Sequence, residues 1–132
     1  MLSLFLVEDD PLMSRMYERA FRASDFDVKM AFDGEEAINI LKNGDYFPGI
    51  AVLDVMMPKK SGFDVLRFIK SESKLKDIPV VLLTNLSGAT EAKKGLDLGA
   101  LEYIVKSDFT PREIVDKIKN ISEKHSIKAK HK

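Results

Sequence analysis

The sequence lacks cysteine, a charge excess and any long apolar run. The absence of cysteine excludes a disulfide framework and a thiolate metal site. Basic and acidic residues number 21 each, so there is no positive excess for a nucleic-acid backbone, and we expect no direct nucleic-acid binding. No apolar run approaches the ~20 residues that span a bilayer. The N-terminus also lacks the basic start of a secretory signal, so we expect a cytoplasmic protein without membrane contact.

The chain does contain a regular alternation of short apolar runs and longer stretches with helical spacing. Buried strands are predicted at residues 4–7, 28–31, 50–53, 79–83 and 103–105. Helical stretches follow each of them, which indicates parallel βαβ units. We predict one α/β domain over residues 1–122, followed by a polar, lysine-rich tail at residues 123–132 that frays.

Local signals mark several helix ends. Asp10 stands before Pro11, an arrangement typical of an N-cap followed by the first helical residue. Asp33 and Glu36 have the spacing of a capping box. Gly44 is expected to end the second helix.

Polar residues of particular types follow four of the predicted strands. They are Glu8, Asp9, Asp10, Asp54, Thr84 and Lys106. Because ligands bind beyond the carboxyl ends of the strands in open parallel sheets, we expect these side chains to share one crevice. Any one of them alone is more often a solvated residue or a helix cap. Their joint placement favours a functional site.

These residue types suit phosphoryl transfer. A few carboxylates with water are the ligands that Mg²⁺ prefers. A carboxylate can also act as a nucleophile and form an aspartyl phosphate, the role predicted for Asp54. A metal ion and the ammonium of Lys106 would stabilise the charge on the transferring group. The hydroxyl of Thr84 could donate a hydrogen bond to it.

The motifs around these residues resemble the receiver domain of two-component response regulators, from about residue 4 to residue 121. The matching segments are LVEDD at 6–10, LDVMMP at 53–58 and SGF at 61–63. The resemblance implies a flavodoxin-like, doubly wound (βα)5 sandwich with a five-stranded parallel sheet in the order 2-1-3-4-5. It also implies a switch, not an enzyme, that accepts a phosphoryl group from a sensor histidine kinase or a histidine phosphotransfer protein.

The resemblance further implies a metal site. Glu8, Asp9 and Asp54, with the main-chain carbonyl of Met56, would bind Mg²⁺, with Mn²⁺ as the other candidate.

The remaining family roles concern the switch itself. Lys106 is the family's lysine, Thr84 its switch hydroxyl and Tyr103 its rotating aromatic. The last two helices and the fifth strand would form the partner-binding face, with a homodimer possible there. The sequence does not identify the downstream target.

Four residues depart from the usual family pattern. Ser107 follows Lys106 where a proline is usual, which argues against the family's cis peptide. Asn85 replaces a smaller residue and narrows access to the acceptor. Met56 and Leu86 are apolar at positions that tune loss of the phosphoryl group, so we expect a long-lived phosphorylated form.

Three alternative functions remain open at this stage. An aspartate-nucleophile phosphatase or phosphotransferase would need a second aspartate where Met56 stands. A flavodoxin-like cofactor binder would need a glycine- and hydroxyl-rich loop where residues 8–10 are acidic. A receiver-like interaction module without phosphorylation would not need Asp54, Thr84 and Lys106 together.

Overall fold

A computed structural model describes the backbone of residues 2–130 and the side chains of residues 2–125. The described strands are β1 (Leu2–Val7), β2 (Phe26–Ala31), β3 (Ile50–Leu53), β4 (Val80–Thr84) and β5 (Glu102–Val105). The helices are α1 (Pro11–Ala23), α2 (Gly34–Lys42), α3 (Gly62–Ser71), α4 (Ala89–Asp97) and α5 (Pro111–Lys130). All strand pairs are parallel, and their order is β2-β1-β3-β4-β5. The predicted flavodoxin-like architecture is confirmed.

Apolar side chains cover both faces of the sheet, which explains why the strands read as continuous apolar runs. Successive strand residues point to opposite faces. One core packs against α2 and α3 and includes Phe5, Val7, Leu53, Leu66, Ile69 and Leu82. The other packs against α1 and α5 and includes Leu4, Leu6, Phe21, Val52, Ile114 and Ile118. The polar side chains that follow the strands are therefore left at the sheet edge.

The helix ends follow the predicted signals with one difference. The Asp10 carboxylate accepts hydrogen bonds from the main-chain N–H groups of residues 12 and 13, so it caps α1. Asp33 accepts from the N–H of Glu36 at 2.7 Å. The Glu36 carboxylate accepts from the N–H of Phe32 at 2.8 Å and not from that of Asp33, so the box is displaced by one residue.

The C-terminal segment was predicted to fray, and this stays a prediction. The backbone of α5 stays helical through residues 123–130. This stretch has no glycine or proline and is rich in lysine and other good helix formers, which explains the continuation. The domain boundary at residue 122 stays a prediction, and residues 131–132 lie outside the described part. Within residues 2–130, no helix combines the length and apolar character needed to cross a membrane.

α4 buries few of its residues against the rest of the domain. It begins after Gly88, whose φ is +124°, and no side chain caps its N-terminus. Gly95 is its one buried residue. A Cβ atom at Gly95 would lie 2.5 Å from Leu82 Cδ1 on β4 and 3.3 Å from the ring of Tyr103 on β5, so the missing side chain lets α4 approach the sheet closely.

Candidate functional site

The carboxyl edge of the sheet brings the predicted acidic residues together. The N–H of Glu8 donates to the carbonyl of Ala31 on β2 at 3.1 Å, and the N–H of Asp54 donates to the carbonyl of Val7 on β1 at 2.9 Å. These bonds continue the sheet pairing past the formal strand ends. Glu8 and Asp54 are consequently held by main-chain hydrogen bonds on adjacent strands.

Lys106 joins the two buried carboxylates. Its Nζ donates to Asp54 Oδ2 at 2.9 Å and also to Glu8 Oε1. All three side chains are buried. The flexible stem of Lys106 reaches from the end of β5 past β4, so the ammonium lies among residues from β1 and β3.

One oxygen from each of Glu8, Asp9 and Asp54 lies within 4.8 Å of the other two. Asp9 is the most solvent-accessible of the three. Three carboxylates against the single ammonium of Lys106 leave an excess of negative charge in a partly buried space. Hard oxygen donors with such an excess fit a divalent cation.

Two members of this cluster, Glu8 and Lys106, have shifted pKa values. Burial raises the pKa of Glu8 to about 7, although the hydrogen bond from Lys106 acts in the opposite direction. Burial also opposes the charge on Lys106, but its bonds to Glu8 and Asp54 outweigh that effect and raise the pKa of Lys106. Lys106 therefore stays charged as an ammonium. Its single positive charge does not offset the effect of burial on the pKa of Glu8.

Both carboxylate oxygens of Asp54 have hydrogen-bond donors. Oδ2 accepts from Lys106, and Oδ1 accepts from the N–H of Met56 at 3.2 Å. Gly62 packs directly on the main chain behind this residue, since a Cβ atom there would lie 2.9 Å from Val55 Cα. The sequence analysis placed Gly62 in the matching segment SGF at 61–63 but did not predict this contact.

Thr84 and Tyr103 are linked through the main chain of Leu86, a residue that the sequence analysis singled out only for its apolar side chain. Thr84 is fully buried, and its hydroxyl accepts from the N–H of Leu86 at 3.2 Å. The hydroxyl of Tyr103 donates to the carbonyl of Leu86. Among the described hydrogen bonds, the Thr84 hydroxyl contacts Leu86 and not Asp54, so the structure does not bring this predicted residue into direct contact with the acceptor.

Lys106 is the first residue of a 3-10 turn, Lys106–Asp108. No described peptide bond is cis, which agrees with the expectation drawn from Ser107.

Comparison with known proteins identifies the family. The family described as response regulator receiver domain matches residues 4–119. A relative from Porphyridium aerugineum, named probable transcriptional regulator ycf27, is 37% identical over 118 residues, which are 89% of this chain and 47% of that protein. The chain thus spans about half the length of the curated relatives it matches.

Solved structures agree with this match. The Francisella response regulator 1452 receiver domain superposes with a TM-score of 0.84 at 22% identity, covering 94% of this chain and 98% of that one, which supports the fold alone. The Mn²⁺-bound form of response regulator Rcp1 gives 0.81 at 29% identity, covering 89% and 91%. Because the family matches residues 4–119, the chain belongs to the response regulator receiver domains of two-component signal transduction.

Proposed function

We propose that Asp54 accepts the phosphoryl group that switches this domain. The observation that carries the proposal is its buried carboxylate, which lies 2.9 Å from the ammonium of Lys106 and beside two further carboxylates. In the transfer, an Asp54 carboxylate oxygen attacks the phosphorus of a phosphohistidine, and the phosphorus–nitrogen bond breaks. The imidazole leaves with that electron pair and takes a proton from solvent. Lys106 balances negative charge throughout.

Glu8, Asp9 and Asp54, with the main-chain carbonyl of Met56, would hold the divalent ion. Mg²⁺ is the proposed ion and Mn²⁺ the second choice, because a small set of oxygen donors open to water suits both. When bound, the ion neutralises charge on the phosphoryl oxygens. The cluster of three carboxylates supports this assignment.

Thr84 and Tyr103 are the proposed switch residues. A phosphoryl group offers three strong acceptor oxygens, which compete for the Thr84 hydroxyl. Movement of Thr84 would break its bond with the N–H of Leu86 and thereby disturb the carbonyl that Tyr103 contacts. The change would reach α4, β5 and α5, the proposed face for a partner or a second copy.

The proposed phosphodonor is a sensor histidine kinase or a histidine phosphotransfer protein. Leu12, in the first turn of α1 at the same edge of the sheet, is 79% exposed. It lines a surface with Arg15, Met16 and Arg19. An exposed apolar residue beside arginines suits a partner helix with apolar and acidic side chains.

Because kinase phosphodonors are made from cytoplasmic ATP, we propose a cytoplasmic location.

The proposed output is control of transcription, through a partner or a further segment. The name of the Porphyridium relative motivates this, whereas the neutral charge of the present chain gives its own surface no general attraction for nucleic acid. A substrate of its own is not proposed, because Met56 occupies the place where an aspartate-nucleophile enzyme needs a general acid.

The experiment is phosphoryl uptake from acetyl phosphate in Mg²⁺, followed by intact-protein mass. Wild type should gain one phosphoryl group, and Asp54→Asn should gain none. Asp45→Asn, at an exposed aspartate outside the site, is the matched control and should behave as wild type. Equal uptake by Asp54→Asn and wild type contradicts the assignment.

A further inference from the structure

Gly34, the first residue of α2, packs against the main chain of a neighbouring loop. This acceptor loop comprises residues 55–61, between β3 and α3. A Cβ atom at Gly34 would lie 2.6 Å from the carbonyl carbon of Lys60 and 2.7 Å from its Cβ, with the carbonyl oxygen closer still. Separations this short require one of the two segments to move. Any residue with a side chain at position 34 therefore displaces either α2 or the acceptor loop.

The first turn of α2 is the more firmly held of the two. Asp33 caps it through the N–H of Glu36, and the carboxylate of Glu36 holds the N–H of Phe32. Ala37 is completely buried in the core one turn later. Within the acceptor loop, residues 56 and 58–60 have far less packing: all four are exposed, and Met56 is 60% exposed. The loop is the segment expected to yield.

The far end of the acceptor loop is fixed. The N–H of Gly62 donates to the carbonyl of Val55 at 3.0 Å, and Ser61 and Asp64 form a capping box that begins α3. A push on Lys60 therefore cannot be absorbed toward α3. It is transmitted back along residues 56–59, which include the carbonyl proposed as a metal ligand and the N–H that holds Asp54.

A second contact joins the same two segments. Lys59 Nζ lies 3.9 Å from the carboxylate of Asp33, and Lys59 has a φ of +68°, an unusual conformation for a residue with a side chain. The surroundings keep Lys59 in this conformation at some conformational cost. The loop is thus held to the start of α2 at two adjacent residues.

We infer that Gly34 is a positioning residue that sets the acceptor loop for metal binding, an inference that depends on the proposed function. The test is Mn²⁺ affinity of the intact domain, measured from the electron paramagnetic resonance signal of free Mn²⁺. Gly34→Ala should bind Mn²⁺ about tenfold more weakly, the usual scale for groups that support a metal site from behind its ligands.

Gly44→Ala is the matched control on the same segment of chain. Gly44 follows α2, has a φ of +80° and has open space where a Cβ would lie. Alanine there strains the backbone and lowers the Tm, but it does not touch the acceptor loop. Its Mn²⁺ affinity should equal that of wild type, which separates loss of stability from loss of position.

A relief variant keeps the test decisive if Gly34→Ala does not fold. Lys60→Gly removes the crowded Cβ and makes the loop easier to displace, but the crowded carbonyl of residue 60 remains. The double variant Gly34→Ala with Lys60→Gly should therefore fold with a displaced loop, and Mn²⁺ affinity is measured on it. Weaker binding than in Lys60→Gly alone supports the inference. Equal binding, or wild-type affinity in a folded Gly34→Ala, overturns it. A wild-type domain that binds no Mn²⁺ refutes the proposed metal site itself, a result distinguishable from both.

Discussion

Thr84 and Tyr103 hydrogen-bond to opposite ends of the main chain of one residue, Leu86. The Thr84 hydroxyl accepts from its N–H, and the Tyr103 hydroxyl donates to its carbonyl. The two side chains come from adjacent strands and are 19 positions apart in the chain. Neither can change its hydrogen bond without affecting the loop that holds the other.

Tyr103→Phe should therefore loosen the loop between β4 and α4. Loss of the hydroxyl removes about 1 kcal/mol of local stabilisation. Amide hydrogen exchange at residues 85–88 should become about fivefold faster, the factor that follows from that free energy. Tyr46→Phe is the control, because its hydroxyl contacts Ser3 Oγ at the opposite end of the sheet. Unchanged exchange in Tyr103→Phe contradicts the proposed link.

Magnesium should raise the Tm of the domain by binding to the folded state. At a hundredfold excess over Kd, such binding adds about 2.7 kcal/mol to the free energy of unfolding. Asp9→Asn should lose most of this rise, since it removes one of the three clustered carboxylates from the more solvent-accessible side. Differential scanning calorimetry with and without Mg²⁺ measures the effect.

The control for the magnesium prediction is the neighbouring Asp10→Asn. Asp10 caps α1 and lies outside the carboxylate cluster, and asparagine is an equally good cap. It should keep the full rise in Tm. A Tm indifferent to Mg²⁺ in wild type, or an equal rise in Asp9→Asn, counts against the metal ligands.

The phosphorylated form should decay faster when Met56→Asn and Leu86→Glu are combined. Hydrolysis needs a water in line with the bond from Asp54 to phosphorus, and these two apolar side chains offer that water no hydrogen bonds. An increase of about tenfold corresponds to about 1.4 kcal/mol of barrier. Loss of labelled phosphoryl in Mg²⁺ gives the rate.

Leu96→Glu is the control for decay, because Leu96 is an exposed leucine on α4 away from the carboxylate cluster. It should leave the rate unchanged. If the double variant folds and decays at the wild-type rate or more slowly, main-chain geometry sets the lifetime and the prediction is wrong.

The cap of α3 should contribute a small pH-dependent stability. The N–H of Ser61 donates to the Asp64 carboxylate at 2.9 Å and holds the pKa of Asp64 below its usual range. A depressed folded-state pKa means that this stability is present above pH 3.8, the ordinary value, and is lost as pH falls through the lower folded value. Asp64→Asn should be less stable than wild type at pH 7, and urea denaturation should show the difference shrinking in acid. A difference independent of pH refutes this.

Screening by solvent limits the stability that the Asp64 carboxylate contributes. The Asp64 side chain is 41% exposed, so we expect at most about 1 kcal/mol.

Most of the fold could be predicted because each strand carries its own apolar signal. β3 was predicted with the observed ends, since all four of its residues are apolar and buried. β1 and β2 begin two residues earlier than predicted. Ser3 and Asp27 pair there, and their polar side chains interrupt the apolar pattern that marks a strand.

The site was predictable in composition but not in its connections. Strand ends placed Glu8, Asp54 and Lys106 at one edge, and the structure brings them together. The role of the Leu86 main chain was not predictable, because every residue has the same N–H and carbonyl groups. The packing of Gly34 on Lys60 was equally hidden, since it depends on how two loops distant in sequence are juxtaposed.

The sparse attachment of α4 bears on how the unmodified domain behaves. With no side-chain cap and one buried residue, this helix loses little when it shifts. Changing the populations of two conformations from 1:99 to 99:1 needs a differential free energy of about 5.5 kcal/mol. A helix whose two positions differ less in free energy needs less than this. We expect a measurable minority of unmodified molecules to hold the signalling arrangement already. Switching would then change the ratio of two arrangements that both already exist, and the unmodified domain would keep a basal population of the signalling arrangement.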